Sequence, residues 1–333
     1  MEESTEWGPG VSLEMLRFRA GVLRQIREFF HQRGVMEVIT PVLGTSTVTD
    51  LHIQSFSLEN ESAEVSKRTL YLQTSPEFFM KRLLAAKKGS GAIYQMGPAF
   101  RRGEAGQRHN PEFLLLEWYR PGFTMVELMQ EVLALVAELH RTPEAQVLHW
   151  GTYRSLFERY LGVNPHALGA SELLSLCERR YPGNQTHLLS PIDRRTRENC
   201  LEYLFAQCIQ PELTAPQFVT QFPASQAALS EVAMVDGDRV AQRFEFYWRG
   251  MELANGYQEL RDADELASRM KEDNHDRQKL GLAVIEPDRH LLAAMRAGLP
   301  ECTGVAMGID RLVACLKENP SLEGVIPFAY SLL

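Results

Sequence analysis

Two strand-like runs, residues 92–100 and 112–119, flank an eleven-residue loop that is far richer in cations than in anions. This strand–loop–strand restricts the fold more than any other feature of the chain. Between Phe100 and Phe113 the loop carries Arg101, Arg102, Arg108 and His109, and a single carboxylate, Glu104, before Glu112. Guanidinium groups bind phosphate oxygens in bidentate fashion, so such a loop suits a polyanion. In the second run Phe113, Leu115, Glu117 and Tyr119 share a face by the two-residue period. An aromatic ring, a carboxylate and a phenol on one face could line a pocket for a base and a cation. The same residues equally describe a basic surface loop above a half-buried strand.

A second pattern lies at residues 243–259. A two-residue turn at Arg249-Gly250 sets Trp248 opposite Met251 and Tyr247 opposite Glu252. Glu245 and Glu252 then become diagonal neighbours on one face, about 7–8 Å apart between Cα atoms. Two carboxylates at that spacing repel unless a cation lies between them, and hard divalent ions favour oxygen ligands shared with phosphates. A solvated hairpin with one glutamate per strand is the alternative. Glu259 has the opposite parity and joins this face only if Asn255-Gly256 forms a bulge. The third pattern is Gly304-Val305-Ala306-Met307-Gly308-Ile309-Asp310-Arg311. Small residues alternate along a strand that feeds a helix over 309–316, with an arginine in its first turn suited to phosphate. Alone, this pattern also describes tight packing.

Elsewhere, helical spacing of Leu16, Ala20, Leu23, Ile26 and Phe30 predicts an amphipathic helix over 13–33, stopped by Gly34, with its arginines on a solvated face. The run 35–41 is β-rich and closed by Pro41, which places it at an edge or interface. Runs 53–58 and 69–73 look like a hairpin around a polar loop. Ser75 and Pro76 open a helix through residue 84, and another helix spans 124–140. Residues 150–210 read as short helical pieces with little chemistry. Arg194, Arg195 and Arg197 form either a positive patch for a partner or a solvated cluster. Composition excludes several classes. No apolar run approaches the length of a membrane span, and the first ten residues are acidic and polar, unlike a signal peptide. The net charge is −8, which argues against coating nucleic acid. The five cysteines include no CxxC pair and read as reduced thiols of a cytoplasmic protein.

In order and spacing the helix and strand before Pro41, the loop 100–113 and the strand–helix 304–311 resemble motifs 1, 2 and 3 of class II aminoacyl-tRNA synthetases. The likeness covers nearly the whole chain. It implies an α+β fold, a mainly antiparallel β-sheet flanked by helices, as one catalytic domain over 1–333 that dimerises through motif 1. Residues 109–113, 116–119 and 252–256 look most like lysyl-tRNA synthetase. Motif 1 starts about a dozen residues into the chain, leaving no room for the anticodon-binding domain of that enzyme. The chain therefore resembles the truncated relatives that ligate (R)-β-lysine to elongation factor P, and residues 220–227 and 116–121 look like that family too.

The resemblance implies an ATP- and Mg²⁺-dependent ligase with elongation factor P as protein substrate and no role for tRNA or a membrane. Arg101 would hold the α-phosphate and the substrate carboxylate, His109 and Arg311 the γ-phosphate, and Phe113 would stack on adenine. Glu104 and Asn110 would complete the ATP site, and Glu245 and Glu252 would bind Mg²⁺. Glu77, Tyr119 and Glu259 would hold the distal ammonium of a lysine-like substrate and Glu117 its other amine, with Asn255 and Ala306 lining the same pocket. Two positions depart from the family pattern. Gly103 stands where motif 2 has glutamate, with Glu104 next door. Ala306 stands where motif 3 has glycine, and its methyl group is expected to narrow the pocket floor in favour of a β-amino acid.

Overall fold

A computed structural model describes residues 7–60, 69–86, 89, 91–140, 149–183 and 185–333. The expected acidic N-terminus (1–6) and the loop of the 53–73 hairpin (61–68) lie outside the described residues. In chain order the elements are α1 (Leu13–Gln32), β1 (Met36–Glu37), β2 (Leu43–Gly44), β3 (Ser57–Glu59), β4 (Thr69–Leu72), α2 (Glu77–Ala86), β5 (Ile93–Phe100), β6 (Glu112–Pro121) and α3 (Met125–His140). Then come β7 (His149–Thr152), α4 (Tyr153–Leu161), α5 (Ala170–Arg180), α6 (Asp193–Leu204), β8 (Gln217–Pro223), β9 (Val232–Val235), β10 (Asp238–Trp248) and β11 (Met251–Gln258). The chain ends with α7 (Ala263–Lys279), α8 (Arg289–Gly298), β12 (Cys302–Gly308) and α9 (Ile309–Leu316).

The large sheet runs β1-β5-β6-β12-β11-β10-β8-β7, with β9 alongside β10. Only β1–β5 and β7–β8 pair in parallel, so the sheet is mainly antiparallel, as expected. The two strand-like runs around the arginine loop are neighbours, and the loop leaves the sheet at their junction, held by Arg101 N–H to Pro111 O at 2.9 Å. Alternation along the central strands gives the sheet two distinct faces. One carries Leu116, Trp118, Phe244, Phe246, Val305 and Met307 against Phe30 of α1, Val132 of α3 and Leu312 of α9, all in one apolar core. The other face is polar and forms the site.

The helix ends follow their sequence signals. Ser12 caps α1 by accepting Met15 N–H, and Gly34 takes φ 64° just beyond its end. Arg19 departs from the expected solvated face: it turns inward and pairs with the buried Asp310 at 2.5 Å. The run 53–58 yields only the short β3. The region 150–210 that gave little chemistry, mainly α4 to α6, packs its own apolar core around Tyr153, Phe157, Leu201 and Phe205 against β8 and β10. Arg194, Arg195 and Arg197 are not a free patch. Arg194 and Arg195 pair with Asp276 at 2.6 and 2.8 Å, and Arg197 donates to the carbonyls of Pro165 and Leu168.

Candidate active site

One row of residues crosses the polar face of the sheet in register: Gln95, Glu117, Ala306, Asn255 and Glu245, from β5, β6, β12, β11 and β10 in turn. A second row, two residues along, contains Tyr119, Gly304, Tyr257 and Arg243. From Glu117 and Tyr119 onward these rows form the floor of a cavity of about 690 Å³, and every site residue singled out in the sequence lines it. It has two chemically opposite ends.

The cationic end is built by the arginine loop, α9 and the β10–β11 hairpin. Arg249 and Gly250 have φ 53° and 68°, the left-handed pair that a two-residue turn needs, and Tyr247 faces Glu252 as expected. Arg311 donates to the carbonyl oxygens of Glu252 at 3.0 Å and Arg108 at 3.1 Å, tying all three segments together. The guanidinium of Arg101 lies 5.1 Å from the centroid of the Phe113 ring, and its Nε is buried without a protein partner. Glu104 sits 3.7 Å from Arg101. The residue before it, Gly103, takes φ 85°, a conformation glycine adopts freely, and so the glutamate one position later than usual still reaches the arginine. Burial and the nearby Arg311 lower the pKa of His109, which also feels Glu104, Glu252 and Arg101, so these charges surround one small volume. Asn110 lines the cavity, but its amide is engaged: it donates to Glu112 O and accepts Tyr330 N–H.

Glu245 is buried, accepting from Arg243 and from the Tyr247 hydroxyl. Burial, with a further push from Glu252, raises its pKa to about 7 despite Arg243. Among the described residues no group of three or more His, Cys, Asp or Glu could hold a metal alone. The two mutually repelling carboxylates fit a divalent ion only if other oxygens, such as those of a triphosphate, complete its coordination.

The acidic end holds Glu77, Glu117 and Glu259. The bulge that brings Glu259 to this face exists, but not at Asn255-Gly256. The register shifts between Phe246 and Tyr247, which leaves Leu253 as the extra residue on β11. Asn255, Tyr257 and Glu259 thereby share the face of Glu252. Tyr119 donates to Glu117 at 2.7 Å. Burial and the charge of Glu77 push Glu117 up to about 8, and burial raises Glu259 to about 7. A Cβ at Gly304 would collide with Glu259 Oε1 and the Tyr119 ring, so only glycine lets these two groups converge there. Ala306 adds its methyl directly between Glu117 and Asn255.

Sequence reasoning missed three supports. Lys81 is fully buried, 2.6 Å from Glu77 and 2.5 Å from Glu259. Its four-residue spacing from Glu77 was the available signal. Arg243 donates to Glu245, to Asn255 at 3.1 Å and to the Gln226 carbonyl at 2.8 Å. Asp310 accepts the N–H of Leu114 at 2.8 Å, fixing the start of β6 against α9.

Comparison with known proteins agrees with this geometry. The family described as tRNA synthetases class II (D, K and N) matches residues 10–331. A protein of Mannheimia succiniciproducens named elongation factor P–(R)-β-lysine ligase is 43% identical over 332 residues, covering 98% of both chains. Proteins of the same name from Haemophilus influenzae and Pseudoalteromonas translucida are 44% identical over 333 residues (99% of both chains) and 45% identical over 329 (97% of both).

Proposed function

The chain belongs to the class II tRNA synthetases of the D, K and N group, and from that premise we propose that it activates (R)-β-lysine with ATP and transfers it to a lysine side chain of elongation factor P. It is an ATP-dependent ligase in this reading. The observation that carries the reading is the two-ended cavity, with Arg101, His109 and Arg311 at one end and Glu77, Glu117 and Glu259 at the other. A triphosphate fits the first end and a diamino acid the second. The names of the relatives point to the same substrates.

In the first step the amino-acid carboxylate attacks the α-phosphorus. A carboxylate O–P bond forms, the bond to the β-phosphate breaks, and pyrophosphate leaves. Bringing two anions together is the main electrostatic task. Arg101 meets it by binding both, with its buried Nε available as a donor. His109 and Arg311 hold the γ-phosphate, Glu104 orients Arg101, and Asn110 shapes the loop around Phe113, which stacks on adenine. Glu245 and Glu252 are the residues that would hold Mg²⁺, which supplies charge neutralisation to the triphosphate. Glu77, Tyr119 and Glu259 take the distal ammonium and Glu117 the other, beside Asn255 and Ala306. In the second step the neutral amine of the acceptor lysine attacks the acyl carbon. An amide bond forms, the bond to phosphate breaks, AMP leaves and the nitrogen gives up a proton. Positioning and electrostatics suffice, without a protein nucleophile.

The same reading makes residues 1–333 one catalytic domain and a homodimer through α1 and the segment after it. In that segment Met36, Ile39 and Leu43 are exposed, Ile39 by 93%, the apolar surface an interface needs. Five free thiols suit the cytoplasm. Among the described residues no helix is long and apolar enough to cross a membrane. The acceptor is a protein and not tRNA.

Pyrophosphate exchange with β-lysine, α-lysine and no amino acid tests the first step, and a mass increase on elongation factor P tests the second. Exchange with β-lysine followed by the mass increase is expected. Exchange with α-lysine alone overturns the substrate, and none with either overturns the activity.

A further inference from the structure

The acidic end of the cavity contains its own ammonium group. Lys81 Nζ is completely buried, which for an unpaired lysine would be prohibitive. It is held by two carboxylates, Glu77 one turn back on α2 and Glu259 just beyond β11, whose N–H is fixed on Cys302 O at 3.1 Å. Burial alone would lower its pKa, but Glu259 and Glu77 outweigh that and raise it, so Lys81 stays charged. The contacts are specific by atom. Lys81 takes Oε1 of Glu77 and Oε2 of Glu259, while Oε1 of Glu259 lies over the cavity face of Gly304 beside the Tyr119 ring. Each carboxylate therefore keeps one oxygen free of the lysine.

The third carboxylate, Glu117, accepts from Tyr119 through Oε1, and its Oε2 is buried with no protein partner. Arg243, another cation lining the cavity, is committed to Glu245, Asn255 and the Gln226 carbonyl. The empty pocket keeps a proton on Glu117; once that proton passes to solvent as a cation enters, three carboxylates against one lysine leave two negative charges uncompensated. A diamino acid brings two ammonium groups.

We propose that Lys81 is a positioning residue that sets the charge of the substrate. It holds one oxygen of Glu77 and one of Glu259, leaves the others to the cavity, and cancels one of three carboxylates so that an amino acid with two ammonium groups completes the pocket. This rests on the reading of the acidic end as the amino-acid site.

A double-mutant cycle separates this role from simple packing, because the sign of the effect depends on Glu77. In the native pocket Lys81→Met leaves three carboxylates, Glu117 and Glu259 buried and Glu77 half-buried, that repel and hold protons against the substrate. The KM for β-lysine in pyrophosphate exchange rises about tenfold or more, with kcat and the KM for ATP nearly unchanged. Glu77→Gln alone leaves a pocket with only one uncompensated charge. Removing the lysine from that background restores two, so Lys81→Met/Glu77→Gln binds β-lysine better than Glu77→Gln, by about threefold or more. If Lys81 only fills space, its loss raises KM in both backgrounds, and that result overturns the proposal. So does Lys81→Met with unchanged KM. If Lys81→Met does not fold, the comparison between Glu77→Gln and the double variant decides alone. Failure of the native chain to exchange pyrophosphate with any lysine isomer removes the underlying reading instead, and is distinguishable because it needs no variant.

Discussion

Arg311 Nη1 donates to the backbone carbonyl of Glu252 at 3.0 Å, and its Nε reaches the carbonyl of Arg108 at 3.1 Å. One side chain from α9 thus ties the hairpin to the arginine loop, and with them the groups read as the triphosphate site. Arg311→Ala is expected to reduce kcat/KM for ATP in pyrophosphate exchange by about 10²–10³-fold, with a melting temperature lowered by a few degrees because both carbonyls lose their donor. Arg311→Lys keeps the charge but not the fork that spans both carbonyls, and recovers only part of the activity.

Glu117 makes the acidic end costly to fold. Burial and Glu77 raise its pKa to about 8, so the folded chain keeps this proton at pH values where the unfolded chain has lost it. Its contribution to stability is full below the ordinary carboxylate range and is lost as pH rises toward about 8. Glu117→Gln removes the penalty. Without substrate, its melting temperature should match the native chain at about pH 5 and exceed it at about pH 8.5 by about 2–5 °C. Exchange with β-lysine falls on the order of 10- to 100-fold, because a charged partner is gone. Equal melting curves at both pH values would contradict the assignment.

Asp310, next to Arg311 in the cavity lining, forms a largely buried pair with Arg19, 2.5 Å apart. Asp310→Asn keeps an acceptor for Leu114 N–H and strands the guanidinium. A cost of about 2–3 kcal/mol in urea unfolding follows, below that of a fully enclosed pair because Arg19 retains some solvent contact. Arg19→Met/Asp310→Asn should regain most of it, since no unpaired charge remains.

Ala306 sits between Glu117 and Asn255, on the floor where the amine nearest the carboxylate would rest. Ala306→Gly opens that floor by one methyl group, and the ratio of α-lysine to β-lysine exchange should rise about tenfold. An unchanged ratio would remove Ala306 from the specificity argument.

Most of the cavity lining was legible in the sequence because it sits on β6, β10, β11 and β12, where side chains alternate with a period of two and the motifs are local. The two-residue turn at Arg249-Gly250 fixed one register correctly by its composition alone. Other features had no local signature. The bulge at Leu253 depends on how β10 and β11 fit their neighbours, so the sequence placed it too late, at Asn255-Gly256. Glu77 and Lys81 look like an ordinary surface pair one helical turn apart, and only the arrival of Glu259 across a long stretch of chain makes the lysine an interior group. Arg19 likewise belongs to a helix full of solvated arginines until Asp310 meets it. The helices α4–α6, α7 and α8 went largely unread because they carry packing and little chemistry.

The unpaired Leu253 works as a phase switch between the two halves of the reaction centre. Ahead of it Glu252 faces the cavity near Arg311, and behind it Asn255 and, just past the strand, Glu259 face the same cavity. Were Leu253 to enter the ladder instead of standing out of it, every later side chain of β11 would turn over, sending Asn255 and Glu259 into the oily layer and Ala254 and Gly256 into the cavity. A lineage bearing this strand can drop the residue and keep every face, because Glu252 and Ala254 already pair with adjacent residues of β10, but it cannot keep the residue and lose the bulge without turning Asn255 and Glu259 out of the cavity.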